Sequence, residues 1–217
     1  KGIIFLGGSV ANFQRGFDRI NVPSVLTTLV TDELDFPNLS MVGVDDRAAA
    51  HIAVAHLIAQ GHSKIAVLGG PTTSFPSRMR RLGAQDAMED AGLVFDNTLY
   101  GLSNYDFESA YHAMNSLLAR RAEFTALFAM SDVIAFGAIR ALVSAGFRVP
   151  EDVSVIGFDG ITMSRYCVPV MTTIVQPSEQ IALQSIELLV RQIEHGSPAQ
   201  TVTLQPELQQ GESVRAI

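Results

Sequence analysis

The feature that most limits what this chain can fold into is a repeated alternation. Short apolar runs, each about the length of one strand, give way again and again to stretches with helical period. The strand-like runs are GIIFL (2–6), PSVLTTLV starting at Pro23, LSMVGV (39–44), KIAVLGG (64–70), NTLYGL (97–102), TALFAM (125–130), VSVIGF (153–158) and TTIVQ (172–176). Between them lie helical stretches. In residues 47–60, Ala50, Ala53, Val54, Leu57 and Ile58 share a face, and Gly61 follows as a C-cap. Residues 78–91 end at Gly92, and residues 107–120 line up Ala110, Tyr111, Met114, Leu117 and Leu118. Ser131 and Asp132 cap a helix that runs to Ala145 and stops at Gly146. Pro177 opens a long helix to about His195, and TVTLQPEL (201–208) reads as an edge-type strand with Pro206 at its end. Apolar strands alternating with helices predict an α/β fold, with a parallel sheet covered on both faces.

Such a sheet collects ligands at the carboxyl ends of its strands. VPEDVSVIGFDG (149–160) delivers an acid, Asp159, to one such end, directly before a glycine. Asp45, Gly70 and Ser131 fall at other strand ends.

The totals exclude several classes. Of 217 residues, 47% are hydrophobic and 17% charged, a globular composition. A net charge of -7 argues against this chain gripping a phosphate backbone by itself. The single cysteine, Cys167, forbids an internal disulfide and fits a reducing compartment. No apolar run is long enough to span a bilayer. The start, KGIIFLGG, is not a signal peptide and reads as a strand entered in mid-protein, so the chain is expected to begin after the true N-terminus. No repeat or Pro/Gly/Ser linker stands out. If there are two lobes, they join near 44–45 and 175–176.

The chemistry is that of a binder. HIAVAH spaces His51 and His56 five apart, on different helix faces, so no zinc helix is present and no metal is expected. GGSVA and GPTTS lack a nucleophile elbow, and neither a Walker loop nor a dinucleotide fingerprint occurs, so no cofactor is indicated. Asp45-Asp46 is either a ligand pair or a helix cap. SRMRR (77–81) sets three arginines at what reads as a helix start, where cations oppose the dipole. Arg80 paired with Asp159, or both holding one polar ligand, would offset that. A guanidinium offers a planar set of donors and a carboxylate offers acceptors for neighbouring hydroxyls, which suits a sugar or another polyol. Tyr105 and Phe75 either wall such a site or pack ordinarily. No general acid–base pair can be assigned, so binding is expected rather than turnover, and the chain is not read as an enzyme.

Several phrases together resemble the ligand-binding core of the lactose-repressor/galactose-repressor (LacI/GalR) family of bacterial transcription regulators. They are AVAHLIAQGHSKIAVLGGP, RMRRLGAQDAMEDAGL, TALFAMSDVIAFGAIRAL, GFRVPEDVSVIGFDG, VPVMTTIVQP and LQPELQQGES, in the family's order and covering essentially the whole chain. The resemblance implies the type I periplasmic-binding-protein architecture, two Rossmann-like lobes with parallel sheets and a ligand cleft. The N-lobe would comprise 1–44 and 177–200, and the C-lobe 45–176 and 201–217. Two strand–helix units that open the family's N-lobe, and the DNA-binding helix-turn-helix, have no counterpart in this sequence. By position, Arg80 matches the family's effector-binding arginine and Asp159 its effector-contacting acid. Ser131 stands where an asparagine is frequent, Tyr105 matches a cleft aromatic, and Gln176 lies at the hinge. The implied protein is a cytoplasmic, homodimeric repressor. It would sense a small-molecule effector, a carbohydrate, and bind operator DNA through the helix-turn-helix. An exported sugar-binding protein for transport or chemotaxis is the alternative on the same fold.

Overall fold

The computed structural model describes residues 1–120 and 123–217. The chain divides into two compact units. The first holds Lys1–Asp45 and Pro177–Pro206, the second Asp46–Gln176 and Glu207–Ile217.

The first unit is built on a parallel sheet of four strands in the order β1-β2-β3-β9. These are β1 (Ile3–Leu6), β2 (Ser24–Thr27), β3 (Leu39–Val44) and β9 (Thr201–Leu204). Every residue of β2 and β3 is buried, as the unbroken apolar runs require of central strands. A short helix α1 (Val10–Gly16), which the apolar pattern does not announce, brings Phe13 against Phe5 and Phe17. The long helix here, α6 (Ser178–His195), buries Ile181, Ser185, Leu188 and Gln192, one residue per turn. Ile181 and Leu188 pack on Val25 and Val42 of the sheet.

The second unit has six strands in the order β10-β8-β7-β6-β4-β5. They are β4 (Ile65–Gly69), β5 (Tyr100–Leu102), β6 (Ala126–Ala129), β7 (Ser154–Asp159), β8 (Thr172–Val175) and β10 (Glu207–Gln209). All pairs are parallel except β10 with β8. Its helices are α2 (Asp46–Ala59), α3 (Phe75–Asp90), α4 (Phe107–Ala119) and α5 (Asp132–Ser144). α2 packs on α3 over one face, and α4 on α5 over the other. Large side chains such as Phe128, Leu68, Leu127 and Phe158 fill the core between them.

Two expectations change. Residues 201–208 are not one strand of the second unit. Pro206, without an amide hydrogen to give a ladder, separates β9 from β10, and the two lie in different sheets. Because β9 pairs with β3, residues 201–206 fall in the first unit, and only 207–217 return to the second. The chain therefore passes between units a third time, near Pro206. The helix expected from residue 78 also starts one turn earlier. Ser74 caps it by accepting from the Ser77 amide, and Pro76 sits in the first turn, where its missing N–H costs nothing. The arginines at 78, 80 and 81 thus lie beyond the positive end of the helix dipole.

Candidate functional site

The order of strands in the second unit fixes where a ligand can approach. From β4 the chain goes outward to β5, then crosses back to lay β6 on the other side of β4. The carboxyl ends of β4 and β6, on either side of that reversal, are the switch point where α/β sheets bind ligands. Arg80, on the second turn of α3, reaches into this place.

Arg80 is 6% exposed. Its Nε donates to Asp46 Oδ1 at 2.7 Å, and its Nη1 to the Met130 carbonyl at 2.5 Å, just past the end of β6. Nη1 also lies 3.6 Å from Asp159 Oδ1, and the guanidinium sits 3.7 Å above the Phe158 ring. Burial works against the Arg80 cation, but the Asp46 and Asp159 carboxylates and Tyr105 more than offset it, so its proton is held more firmly than usual.

Asp159 ends β7 with φ +108°, a region that side chains rarely occupy, and Gly160 follows at φ +70°. Its side chain is 29% exposed. Gln176, one residue past β8, donates from Nε2 to Asp159 Oδ1 at 2.8 Å, and its backbone amide donates to the Asp159 carbonyl at 3.1 Å. Burial pushes the Asp159 carboxyl up, by more than Arg80 and Gln176 pull it down.

Among the described residues, these contacts leave an acceptor and a donor over. The hydrogen bond and ion-pair contact of Asp159 both use Oδ1, and those of Arg80 use Nε and Nη1. Asp159 Oδ2 and Arg80 Nη2 make none of them. A carboxylate oxygen and a guanidinium N–H, anchored by their other atoms, form a preorganised pair for neighbouring hydroxyls.

The other expected residues are placed as follows. Ser131 is buried, and its Oγ accepts from the Ile134 amide at 3.1 Å, so its oxygen serves as the N-cap of α5. Tyr105 has φ +61°, and its hydroxyl shares a 2.6 Å hydrogen bond with Ser77 Oγ. Its ring lies directly on Gly70, where an added Cβ would fall 2.0 Å from a ring carbon. Phe75 is buried at the start of α3, with the Arg78 guanidinium 5.4 Å from its ring centre. Asp45 is exposed, and the acid of that pair that meets Arg80 is Asp46, 5% exposed.

The sequence carries a signal that favours Asp46 over Asp45. Asp46 lies four residues before Ala50, seven before Ala53 and eleven before Leu57, on the buried stripe of α2. The sequence pattern of Asp132 suggests only part of a cap. Asp132 is fully buried and accepts from Thr173 Oγ1 at 2.6 Å and from the Ile161 amide at 2.8 Å. Three residues before Ala135 and six before Ala138, it too lies on a buried helix face. Among the described residues, no group of three or more His, Cys, Asp or Glu could hold a metal ion, and no helix is long and apolar enough to cross a membrane.

This sheet order and strand-end site define a ligand-binding domain of the periplasmic-binding-protein-like class, and the description of that family matches residues 54–214. An Escherichia coli structure described as a sugar-binding transcriptional regulator of the LacI family, complexed with phosphate, is 30% identical. The match covers all of this chain and 77% of that one, with a TM-score of 0.83. A transcriptional regulator CelR–cellobiose complex, also 30% identical, superimposes with a TM-score of 0.87 over 98% of this chain and 64% of that one. The HTH-type transcriptional regulator MalR of Clostridium butyricum is 35% identical over 98% of this chain and 64% of its own length. The chain belongs to the LacI family of transcriptional regulators. It spans a little under two thirds of the length of the curated relatives it matches.

Proposed function

We propose that this chain is the effector-binding domain of a LacI-type repressor, and that its effector is a carbohydrate held by Arg80 and Asp159. The observation that carries the reading is the leftover pair, Asp159 Oδ2 and Arg80 Nη2, anchored at the switch point of the second unit's sheet. Tyr105 and Phe75 contribute apolar surface, while Gln176 fixes the carboxylate. Ser131 and Asp45 stay in the proposed set of ligand-binding residues, Ser131 through its buried hydroxyl just past β6 and Asp45 as the sequence neighbour of Asp46. A sugar with unequal affinity for two conformations of the protein shifts their populations, and that shift reaches operator DNA through a helix-turn-helix elsewhere in the protein. The curated relatives bear the names of HTH-type regulators, which favours the repressor over an exported carrier and supports a cytoplasmic location. The working form is a homodimer. Met163, Tyr166 and Val168, 55%, 81% and 94% exposed within six residues, supply an apolar surface for a second copy, which light scattering would test.

Titration calorimetry with a panel of mono- and disaccharides, including ribose and cellobiose, tests the site. Asp159→Asn is expected to weaken the sugar that binds by about 10- to 100-fold, the worth of one charge-assisted hydrogen bond, with an unchanged melting transition. Unaltered affinity in that variant removes Asp159 from the site. Silence across the panel in the unsubstituted protein removes the carbohydrate reading.

A further inference from the structure

Asp132 is a fully buried carboxylate whose neighbouring charge is another acid, Asp159. Burial pushes it up to about 6, and Asp159 adds to that. The bonds from Thr173 and from the Ile161 and Gly160 amides pull the other way. A region that needed only packing would gain from an apolar side chain here, because a buried acid without a cation is costly at neutral pH. Space for it comes from the sheet itself. A Cβ on Gly157 would fall 2.2 Å from Asp132 Oδ1.

What the carboxylate fastens is specific. Oδ2 takes the amide of Ile161, two residues beyond the strained Asp159. Oδ1 takes the hydroxyl of Thr173 on β8. In the register of β7 with β8, Thr173 lies opposite Gly157, and Val175, just before Gln176, lies opposite Asp159. One side chain thus ties down both the turn that carries Asp159 and the strand that delivers Gln176 to it.

We propose that Asp132 is a positioning residue, which holds residues 159–161 in the strained turn that aims the Asp159 carboxylate at Arg80 and Gln176. Its consequence for ligand affinity rests on the effector reading above, but its geometric content does not. Asp132→Ala deletes both bonds, and Thr173→Val deletes one without changing charge or volume. In crystal structures of these variants, Asp159 is expected to leave its positive φ, and the Gln176–Asp159 side-chain bond is expected to be lost. Calorimetry is expected to show sugar affinity falling about tenfold or more, from the loss of preorganised contacts. Asp132→Asn is the rescue. Its amide oxygen accepts from Ile161 while its NH2 donates to Thr173, so turn geometry and affinity are expected to persist.

Residues 159–161 superimposing on the parent in the Ala and Val variants would overturn the proposal, as would an Asn variant that binds as weakly as Ala. Should Asp132→Ala fail to fold, Thr173→Val decides. If no sugar of the panel binds the parent protein, the effector reading fails, and the crystal structures still decide the role of Asp132.

Discussion

The two ends of the six-stranded sheet solve the same problem, burial of polar groups, in opposite ways. At the carboxyl ends of the strands the buried groups are ionic. Arg80 lies between Asp46 and Asp159, and Asp132 lies close behind, with backbone strain at Asp159. At the amino ends they are neutral. His62, 2% exposed, faces Thr125 Oγ1 at 2.9 Å and the Arg215 carbonyl at 3.1 Å. The carbonyl can only accept, so Nε2 carries the hydrogen and Nδ1 accepts from the threonine. Ser213 Oγ donates to the Val155 carbonyl and accepts from the Thr172 amide, and Ser154 Oγ accepts from the Arg215 amide. These bonds close the last residues of the chain onto the sheet. A region that serves only the fold uses neutral partners, each matched to another. Charge and strain gather at the end where the proposed site lies.

The largest expected effect removes the acid that meets Arg80 most closely. Asp46→Ala leaves the buried Arg80 cation with only the more distant Asp159 as counter-charge. It is expected to cost about 3–5 kcal/mol by urea unfolding, the range for breaking a buried pair. A cost below about 1 kcal/mol would mean that water reaches Arg80 freely, and the contrast between the two ends would lose its basis.

Next come the titrations, which should run in opposite directions. Burial lowers the His62 pKa below 6.5, so between its folded value and 6.5 the unfolded chain binds more protons. Its contribution to stability therefore fades as pH falls below about 6.5. His56, also lowered by burial, adds the same sign. Asp132 is raised from 3.8 to about 6, so the folded state binds more protons across that window. Its contribution is fully present below 3.8 and lost as pH rises through 6. Asp159, raised in the same direction, adds to it. Urea midpoints from pH 4 to 7.5 should therefore show Asp132→Asn gaining on the parent as pH rises to 6, then holding a lead on the order of 3 kcal/mol. His62→Ala should lose about 1–3 kcal/mol at pH 7, because the Arg215 carbonyl is left unpaired, and less at pH 5. Parallel curves for the three proteins would show that neither group titrates as its burial requires.

How much of this was legible from the amino acids depends on whether a residue's role is local. The strands LSMVGV and VSVIGF, the helix ends at Gly61 and Gly146, and the prominence of Asp159 follow from runs, caps and breakers, which are properties of neighbours in sequence. Pairing is not such a property. That β9 and β10 part at Pro206 into different sheets depends on β3 offering an edge more than 150 residues earlier. Arg80 was found because it broke a local rule, a cation near a helix start, although the rule was misapplied, since Ser74 and Pro76 begin α3 a turn sooner. For Asp46 and Asp132 a helix cap is the ready local explanation of an acid at a helix start. Their buried stripes carried the stronger signal.

Asp159→Gly separates strain from charge and has the smallest effect on stability. Relief of a backbone at φ +108° gains about 1–3 kcal/mol, offset by about 1 kcal/mol for the extra freedom of glycine in the unfolded chain and by loss of the bond from Gln176. The net expectation is a variant as stable as the parent or about 1 kcal/mol more so, and silent toward any sugar the parent binds. A stabilised but silent protein is the signature of a residue kept for its ligand. If the variant instead unfolds as readily as Asp46→Ala, Asp159 is a structural partner of Arg80 like its neighbour, and the charged end of the sheet owes its acids to the fold.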